Sequence, residues 1–221
     1  MLNKTYLVTA GPTHEQIDPV RYIGNYSSGK MGFAIAERLA ELGAKVILVA
    51  GPVSIETQNP SILRVDVISA DQMFEKCHAY FPTCDGAIMV AAVADYKPVH
   101  FSPEKMKRSD EILTLSLCPN PDIAASLGQI KRKDQVLVGF ALETANDEKK
   151  AMLKLQKKNL DLIVLNSLGD HQAGFKFDTN KVTILDQSGV VFTSELKLKS
   201  EIAIDIVNKI IETQQSRVGM F

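Results

Sequence analysis

No stretch of this 221-residue chain is long and apolar enough to span a bilayer, and the opening Met1-Leu2-Asn3-Lys4-Thr5-Tyr6-Leu7-Val8 has too short an apolar run for a signal peptide. A cytoplasmic protein with no membrane partner is expected. An excess of charge is also missing. The 25 Lys and Arg stand against 26 Asp and Glu, which argues against nucleic acid as a main partner and makes any basic site local. The three cysteines, Cys77, Cys84 and Cys118, are odd in number and lack the paired spacing of a zinc site. They fit a reducing compartment and a role as small buried hydrophobes. His14, His78, His100 and His171 show no metal-ligand spacing, and no serine sits in a nucleophile elbow. Chemistry here must therefore rest on positioning and electrostatics, with no dedicated metal site expected.

What remains is sufficient for a core. With 45% hydrophobic and 23% charged residues, the chain needs no disulfide or metal staple, and one domain over 1–221 is the default. Thr5 to Ala10, Val46 to Ala50, Ala87 to Ala91, Val136 to Phe140 and Leu162 to Leu165 read as buried strands. Between them, Met31, Ile35, Leu39 and Leu42 share one helical face, and Gly43 supplies a stop. Further helices are expected near 70–80, 121–128 and 146–159, the second opened by the cap signal Asn120-Pro121-Asp122. From Lys181 the pattern becomes a β-hairpin, Val182 to Leu185 and Val190 to Phe192 about Ser188-Gly189, followed by a closing helix marked by Ile202, Ile206 and Ile210. The expected fold is α/β: a Rossmann-like, doubly wound, mainly parallel sheet with a C-terminal β-hairpin and closing helix. In such a sheet ligands gather beyond the carboxyl ends of the strands, here loops 10–30, 50–54, 91–110, 140–146 and 166–180.

The first of these loops is unusually long and ends in Asn25-Tyr26-Ser27-Ser28-Gly29-Lys30-Met31-Gly32 at a helix start, where free backbone N–H groups attract phosphate. Two familiar motifs nearly fit. Gly24-x4-Gly29-Lys30 has P-loop spacing, but Met31 stands where a P-loop needs Ser or Thr. Tyr26-x3-Lys30 has the spacing of a short-chain dehydrogenase pair, yet that pair belongs on a later helix. An acid for ribose is also missing, since Val49, Ala50 and Gly51 end the second strand. Elsewhere, Ala91-Ala92-Val93-Ala94-Asp95-Tyr96 lets a ligand approach the backbone, or is simply a close-packed strand end. Ser102 to Arg108 reads as a basic flap or a solvated loop. Lys150, Lys154 and Lys158 share a helical face that is ordinarily solvated.

Taken together, Thr9-Ala10-Gly11-Pro12-Thr13-x-Glu15-x-Ile17-Asp18-Pro19-Val20-Arg21, the Asn25 to Gly32 loop, Ala91 to Tyr96, Asn120-Pro121-Asp122-Ile123 and Val138-Gly139-Phe140-Ala141-x-Glu143-Thr144 resemble phosphopantothenoylcysteine synthetase. Lys158-Asn159-Leu160-Asp161 and Phe175 to Asn180 extend the match over nearly the whole chain, closest to the bacterial, CTP-using branch. The resemblance implies a ligase of coenzyme A biosynthesis, joining 4'-phosphopantothenate to L-cysteine through an acyl-cytidylate and releasing CMP and pyrophosphate. It implies that Asn25 holds the activated acyl group and that Lys105 closes over it. Gly11, Ser27, Gly29, Gly32, Phe140 and Asn166 fall on nucleotide-binding positions, as do Lys154 and Lys158. Ala91, Ala92 and Asp95 match the junction of pantothenate and nucleotide, and Asn120, Pro121, Asp122 and Ile123 stand with the substrate- and nucleotide-binding residues. Arg21 would reach the neighbouring subunit's substrate in a homodimer. Mg2+ would arrive with CTP. In many bacteria such a domain is fused behind a flavin-dependent phosphopantothenoylcysteine decarboxylase, and with Met1 beside the first strand that half is expected to lie outside this chain. The competing expectations are a short-chain NAD(P) oxidoreductase and a nucleotide-sensing module without turnover.

Overall fold

The computed structural model describes residues 1–108, 112–143, 148–167 and 177–218. In chain order the strands are β1 (Thr5–Ala10), β2 (His14–Gln16), β3 (Tyr22–Gly24), β4 (Lys45–Ala50), β5 (Ile62–Asp66), β6 (Gly86–Met89), β7 (Tyr96–Pro98), β8 (Leu117–Pro119), β9 (Val136–Glu143), β10 (Leu162–Ser167), β11 (Thr179–Asn180), β12 (Val182–Asp186), β13 (Gly189–Thr193) and β14 (Lys197–Leu198). The helices are α1 (Lys30–Glu41), α2 (Ala70–Tyr80), α3 (Ile123–Ile130), α4 (Glu148–Lys157) and α5 (Lys199–Val218). Among the described residues, eight strands form one sheet in the order β13-β12-β10-β9-β6-β1-β4-β5. The six strands from β10 to β5 run parallel, and the hairpin β12–β13 joins antiparallel at β10, as the sequence pattern anticipates.

Strand periodicity sorts the core. Tyr6, Val8 and Ala10 face α1 and α5, together with Ile35, Leu39, Ile202, Ile206 and Ile210. On the opposite face Leu7, Leu137 and Ile163 meet Met73 and Cys77 of α2, Leu127 of α3 and Leu155 of α4. Each fully buried aliphatic side chain contributes roughly 1.5–3 kcal/mol, so the three isoleucines of α5, all fully buried, bind that helix to the sheet. Among the described residues no helix is long and apolar enough to cross a membrane.

The sheet order reverses between β1 and β6, which opens a crevice at their carboxyl ends. Helix α1 reaches its edge because Gly32 lets it lie against β1. A Cβ on Gly32 would stand 2.6 Å from the Ala10 Cβ and 3.0 Å from the Thr9 carbonyl oxygen. Two short antiparallel pairs, β2–β3 and β7–β8, rise beside the crevice. Helix α4 ends at Lys157, two residues before the expected 159, and Asn159 just beyond it takes a left-handed φ of 51°.

Candidate active site

The crevice is stitched by side chains from β1 and the loop after it. The Thr9 hydroxyl accepts from the backbone N–H groups of Val90 (3.0 Å) and Ala91 (3.1 Å), and the Thr13 hydroxyl from that of Ala94 (3.0 Å). The Ala92 N–H donates to the Gly11 carbonyl at 2.9 Å. These bonds carry residues 91–95 off the end of the sheet, with only methyl groups at Ala91 and Ala92. Asn25 lies across this segment, its Nδ2 donating to the Val93 carbonyl at 3.0 Å and, longer, to that of Ala92 at 3.4 Å. Asn120 grips it from β8, Nδ2 to the Ala94 carbonyl at 2.8 Å. The Asn120 Oδ1 is buried with no hydrogen-bond partner among the described residues, an open acceptor in the cavity wall.

The cavity so formed has a volume of about 640 Å³, within the range that holds a nucleotide-sized ligand. It brings together Asn25, Ala91, Ala92, Asp95, Asn120, Pro121, Asp122, Ile123, Phe140, Lys154 and Lys158. Asp122 caps α3 by accepting from the Ala125 N–H at 3.0 Å, and it pairs with Lys158 at 3.0 Å. The strand that follows α4 points its amino end toward these lysines, so sheet geometry alone leaves them outside the crevice. Helical Cα–Cβ bonds, however, tilt toward the helix N-terminus, and that tilt favours long side chains of the last turn reaching back to the cavity. The junction below Lys158 is locked: Asn159 donates to the Gly128 carbonyl at 2.8 Å. Asp161 accepts from Lys131 at 2.8 Å, from the Leu137 N–H at 2.7 Å and from Arg217.

The remaining site residues do not share this cavity. Gly11, Ser27, Gly29, Gly32 and Asn166 line a tighter cleft of about 40 Å³ over the start of α1. Gly29 takes a φ of 77° as the N-cap, and Gly11 a φ of 78°, a region L side chains rarely adopt. Lys30, a member of the Asn25 to Gly32 loop given no separate role from sequence, joins them there, as does Lys199, which sequence reasoning did not assign to the site. Lys30 pairs with Asp178, whose carboxyl is held below its ordinary range chiefly by that bond. Lys199 lies at the start of α5, 167 or more residues from every glycine of the loop, so only the folded chain reveals it. Burial, and then Lys30, push its ammonium below the usual lysine range. Lys105 and Arg21 lie elsewhere again, in an open hollow with Met106, Lys107 and Arg108. The expectation that Lys105 covers the activated group thus rests on a segment standing apart from Asn25 in this conformation.

Among the described residues no group of three or more His, Cys, Asp or Glu is placed to hold a metal ion. The parts of the site loops holding Thr144, His171 and Phe175 lie outside the described residues.

Residues 1–214 match the family model of the DNA/pantothenate metabolism flavoprotein C-terminal domain. The chain is 50% identical over 204 residues to a protein named cysteine/cysteine sulfinic acid decarboxylase from an unknown prokaryotic organism, covering 92% of this chain and 57% of that protein. It is 44% identical over 208 residues to the coenzyme A biosynthesis bifunctional protein CoaBC of Haemophilus influenzae, covering 94% of this chain and 51% of the relative. The chain thus spans little more than half the length of these curated relatives. The crystal structure of the C-terminal domain of a CoaBC protein superposes with a TM-score of 0.83 at 39% identity, covering 98% of this chain and 100% of that one. From its matched length, its sheet order and the crevice at the β1–β6 reversal, the chain belongs to the DNA/pantothenate metabolism flavoprotein C-terminal domain family.

Proposed function

We propose that residues 1–221 act as a phosphopantothenate–cysteine ligase domain, using CTP to join 4'-phosphopantothenate to L-cysteine in coenzyme A biosynthesis. The observation that carries this reading is the convergence of Asn25, Asp95, Asn120, Phe140, Lys154 and Lys158, distant in sequence, on one cavity at the topological switch point. The full-length match to the C-terminal domain of CoaBC supports it.

A carboxylate resists attack by an amine until one of its oxygens becomes a good leaving group. In the first step the substrate carboxylate attacks the α-phosphorus of CTP, and the bond to pyrophosphate breaks. In the second the cysteine amine attacks the acyl carbon, CMP departs with the bridging oxygen, and the amine gives up its proton. Both steps gather negative charge, which Lys154 and Lys158 offset at the cavity wall. The Asn25 amide already donates into the cavity rim, and in the mechanism it turns that donor to the acyl oxygen as charge develops there. Phe140 offers an apolar face to the nucleoside and Asn120 to Ile123 a polar edge, while Gly11, Ser27, Gly29, Gly32 and Asn166 receive phosphate oxygens. Ala91 and Ala92 leave room for the pantothenate arm beside Asp95. Magnesium supplies charge neutralisation when bound, and the donor set suits an ion that enters on the triphosphate, with Asp95 the cavity carboxylate not already engaged in capping α3. Lys105 closes over the intermediate, and Arg21 reaches a neighbouring subunit's substrate in a homodimer. The product then passes to a flavin-dependent decarboxylase, fused or separate, and the setting is the cytoplasm.

The test is direct. Protein incubated with Mg2+, CTP, 4'-phosphopantothenate and cysteine should release CMP, pyrophosphate and phosphopantothenoylcysteine in equal amounts, with ATP a poorer donor in parallel. Release of CO2 from cysteine or cysteine sulfinate without CMP would instead favour the activity in the decarboxylase relative's name.

A further inference from the structure

Asp18 is a buried carboxylate, 1% exposed, that lines none of the cavities described above. Its Oδ1 accepts from the backbone N–H groups of Val20 (2.9 Å) and Arg21 (2.8 Å), closing the turn before β3. Its Oδ2 accepts from both Nε (3.0 Å) and Nη2 of Arg21 and from the Met106 N–H at 3.2 Å. The same Arg21 Nη2 donates to the Met106 carbonyl at 2.9 Å. The backbone of Met106, next to Lys105, is thus gripped at both its N–H and its carbonyl, and the neighbouring Ser102 N–H is fixed to the Ile17 carbonyl at 3.0 Å. A turn with no need of residue 106 for its own closure has its charged partners spent there.

We propose that Asp18 is a positioning residue for the ligation, acting through Arg21 and Met106 to set where the Lys105 segment stands. This inference rests on the ligase reading above. The two ends of the latch are the residues assigned to opposite duties, Arg21 toward a neighbouring subunit and Lys105 over the intermediate, and Asp18 ties them into one unit. Two charge-assisted bonds from Arg21 to the single oxygen Oδ2, with a further one from Nη2 to the Met106 carbonyl, fix the orientation of the guanidinium as well as its charge, so Arg21 cannot move without releasing that carbonyl. The Arg21 guanidinium also holds the Asp18 carboxyl well below the usual carboxylate range, so the latch keeps its charge at neutral pH.

The experiment uses Asp18→Asn, which keeps the shape and one acceptor oxygen, and Arg21→Lys, which keeps the charge but loses the fork. In Asp18→Asn the Met106 amide should exchange with deuterium at least about tenfold faster, as a lost charge-assisted bond implies. In the ligase assay kcat should fall about 10- to 100-fold with KM for CTP changed less than about twofold. In a Lys105→Ala background the same substitution should lower kcat less than about twofold, because the two residues act as one unit. Arg21→Lys should behave alike. Unchanged Met106 exchange in both variants refutes the latch whether or not the chain ligates. Faster exchange with a kcat loss that multiplies independently of Lys105→Ala refutes positioning through the flap. A wild-type chain that releases no CMP refutes the ligase reading on which the proposal stands, while the exchange result still decides the latch.

Discussion

Replacing Asn25 with alanine separates the catalytic use proposed for its amide from any structural one. The side chain is exposed and makes one good hydrogen bond, 3.0 Å to the Val93 carbonyl, and one long contact of 3.4 Å to Ala92. An exchanged hydrogen bond of this kind contributes about 0.5–1.5 kcal/mol net, and at the exposed rim the lower end applies. For a domain of this size that corresponds to a melting temperature lower by roughly 2–4 °C per kcal/mol. Loss of one donor to a developing oxyanion, by contrast, lowers turnover about 10²–10³-fold. Asn25→Ala should therefore ligate about 10²–10³-fold more slowly while CTP binding and the unfolding transition stay nearly intact. Asn25→Asp should be no better, since a carboxylate replaces the donor and faces the Ala92 and Val93 carbonyls. Chromatographic CMP release and thermal unfolding on the same samples check both halves. Activity within about threefold of wild type would remove Asn25 from the mechanism, because no transition-state donor is worth so little. A melting temperature lower by more than about 10 °C would make the residue structural instead.

Other outcomes follow from the packing and the titrations. Gly32→Ala puts a methyl 2.6 Å from the Ala10 Cβ, neither of which has a rotamer to yield, so α1 must shift off β1; destabilisation of about 1–3 kcal/mol in denaturant unfolding is expected, and none would show the contact to be slack. Burial pushes the Cys77 thiol up to about 12 and that of Cys84 to about 11, so at pH 8 a thiol reagent should label the half-buried Cys118 in the native protein and all three after unfolding; native labelling of three thiols would contradict the packing of α2. Asp18 has its carboxyl lowered by Arg21. Its contribution to stability is complete above the unfolded value of about 3.9 and is lost as pH falls toward the folded one. Unfolding measured from pH 7 to pH 3 should accordingly decline less steeply in Asp18→Asn than in wild type, and equal slopes would count against the pairing.

The features legible in the sequence are those decided locally. The buried runs of β1, β4, β6, β9 and β10, the α1 stripe ended by Gly43, the Asp122 cap and the β12–β13 hairpin follow from side-chain period and turn chemistry. β2–β3 and β7–β8 escaped because strands of three residues, largely exposed, carry no period to read. The site was only partly legible. Local chemistry pointed to an anion at the Asn25 to Gly32 loop, and family resemblance supplied the distant partners. Neither revealed that those partners divide between a large cavity and a tight cleft. Thr9 and Thr13, whose hydroxyls shape the crevice, are ordinary strand and loop residues in a sequence; their function is a matter of which N–H groups the sheet brings within 3.0 or 3.1 Å. Lys199 enters the cleft only because α5 packs beside α1.

The central claim is that the substrate carboxylate is activated on the nucleotide before the amine attacks, and isotope transfer tests it most directly. With 4'-phosphopantothenate carrying 18O in both carboxylate oxygens, attack on the α-phosphorus makes one labelled oxygen the bridge, and it must leave with CMP when the amide forms. The account predicts one 18O in each CMP by mass spectrometry and one retained in the amide carbonyl. Unlabelled CMP, formed together with authentic phosphopantothenoylcysteine, would contradict it.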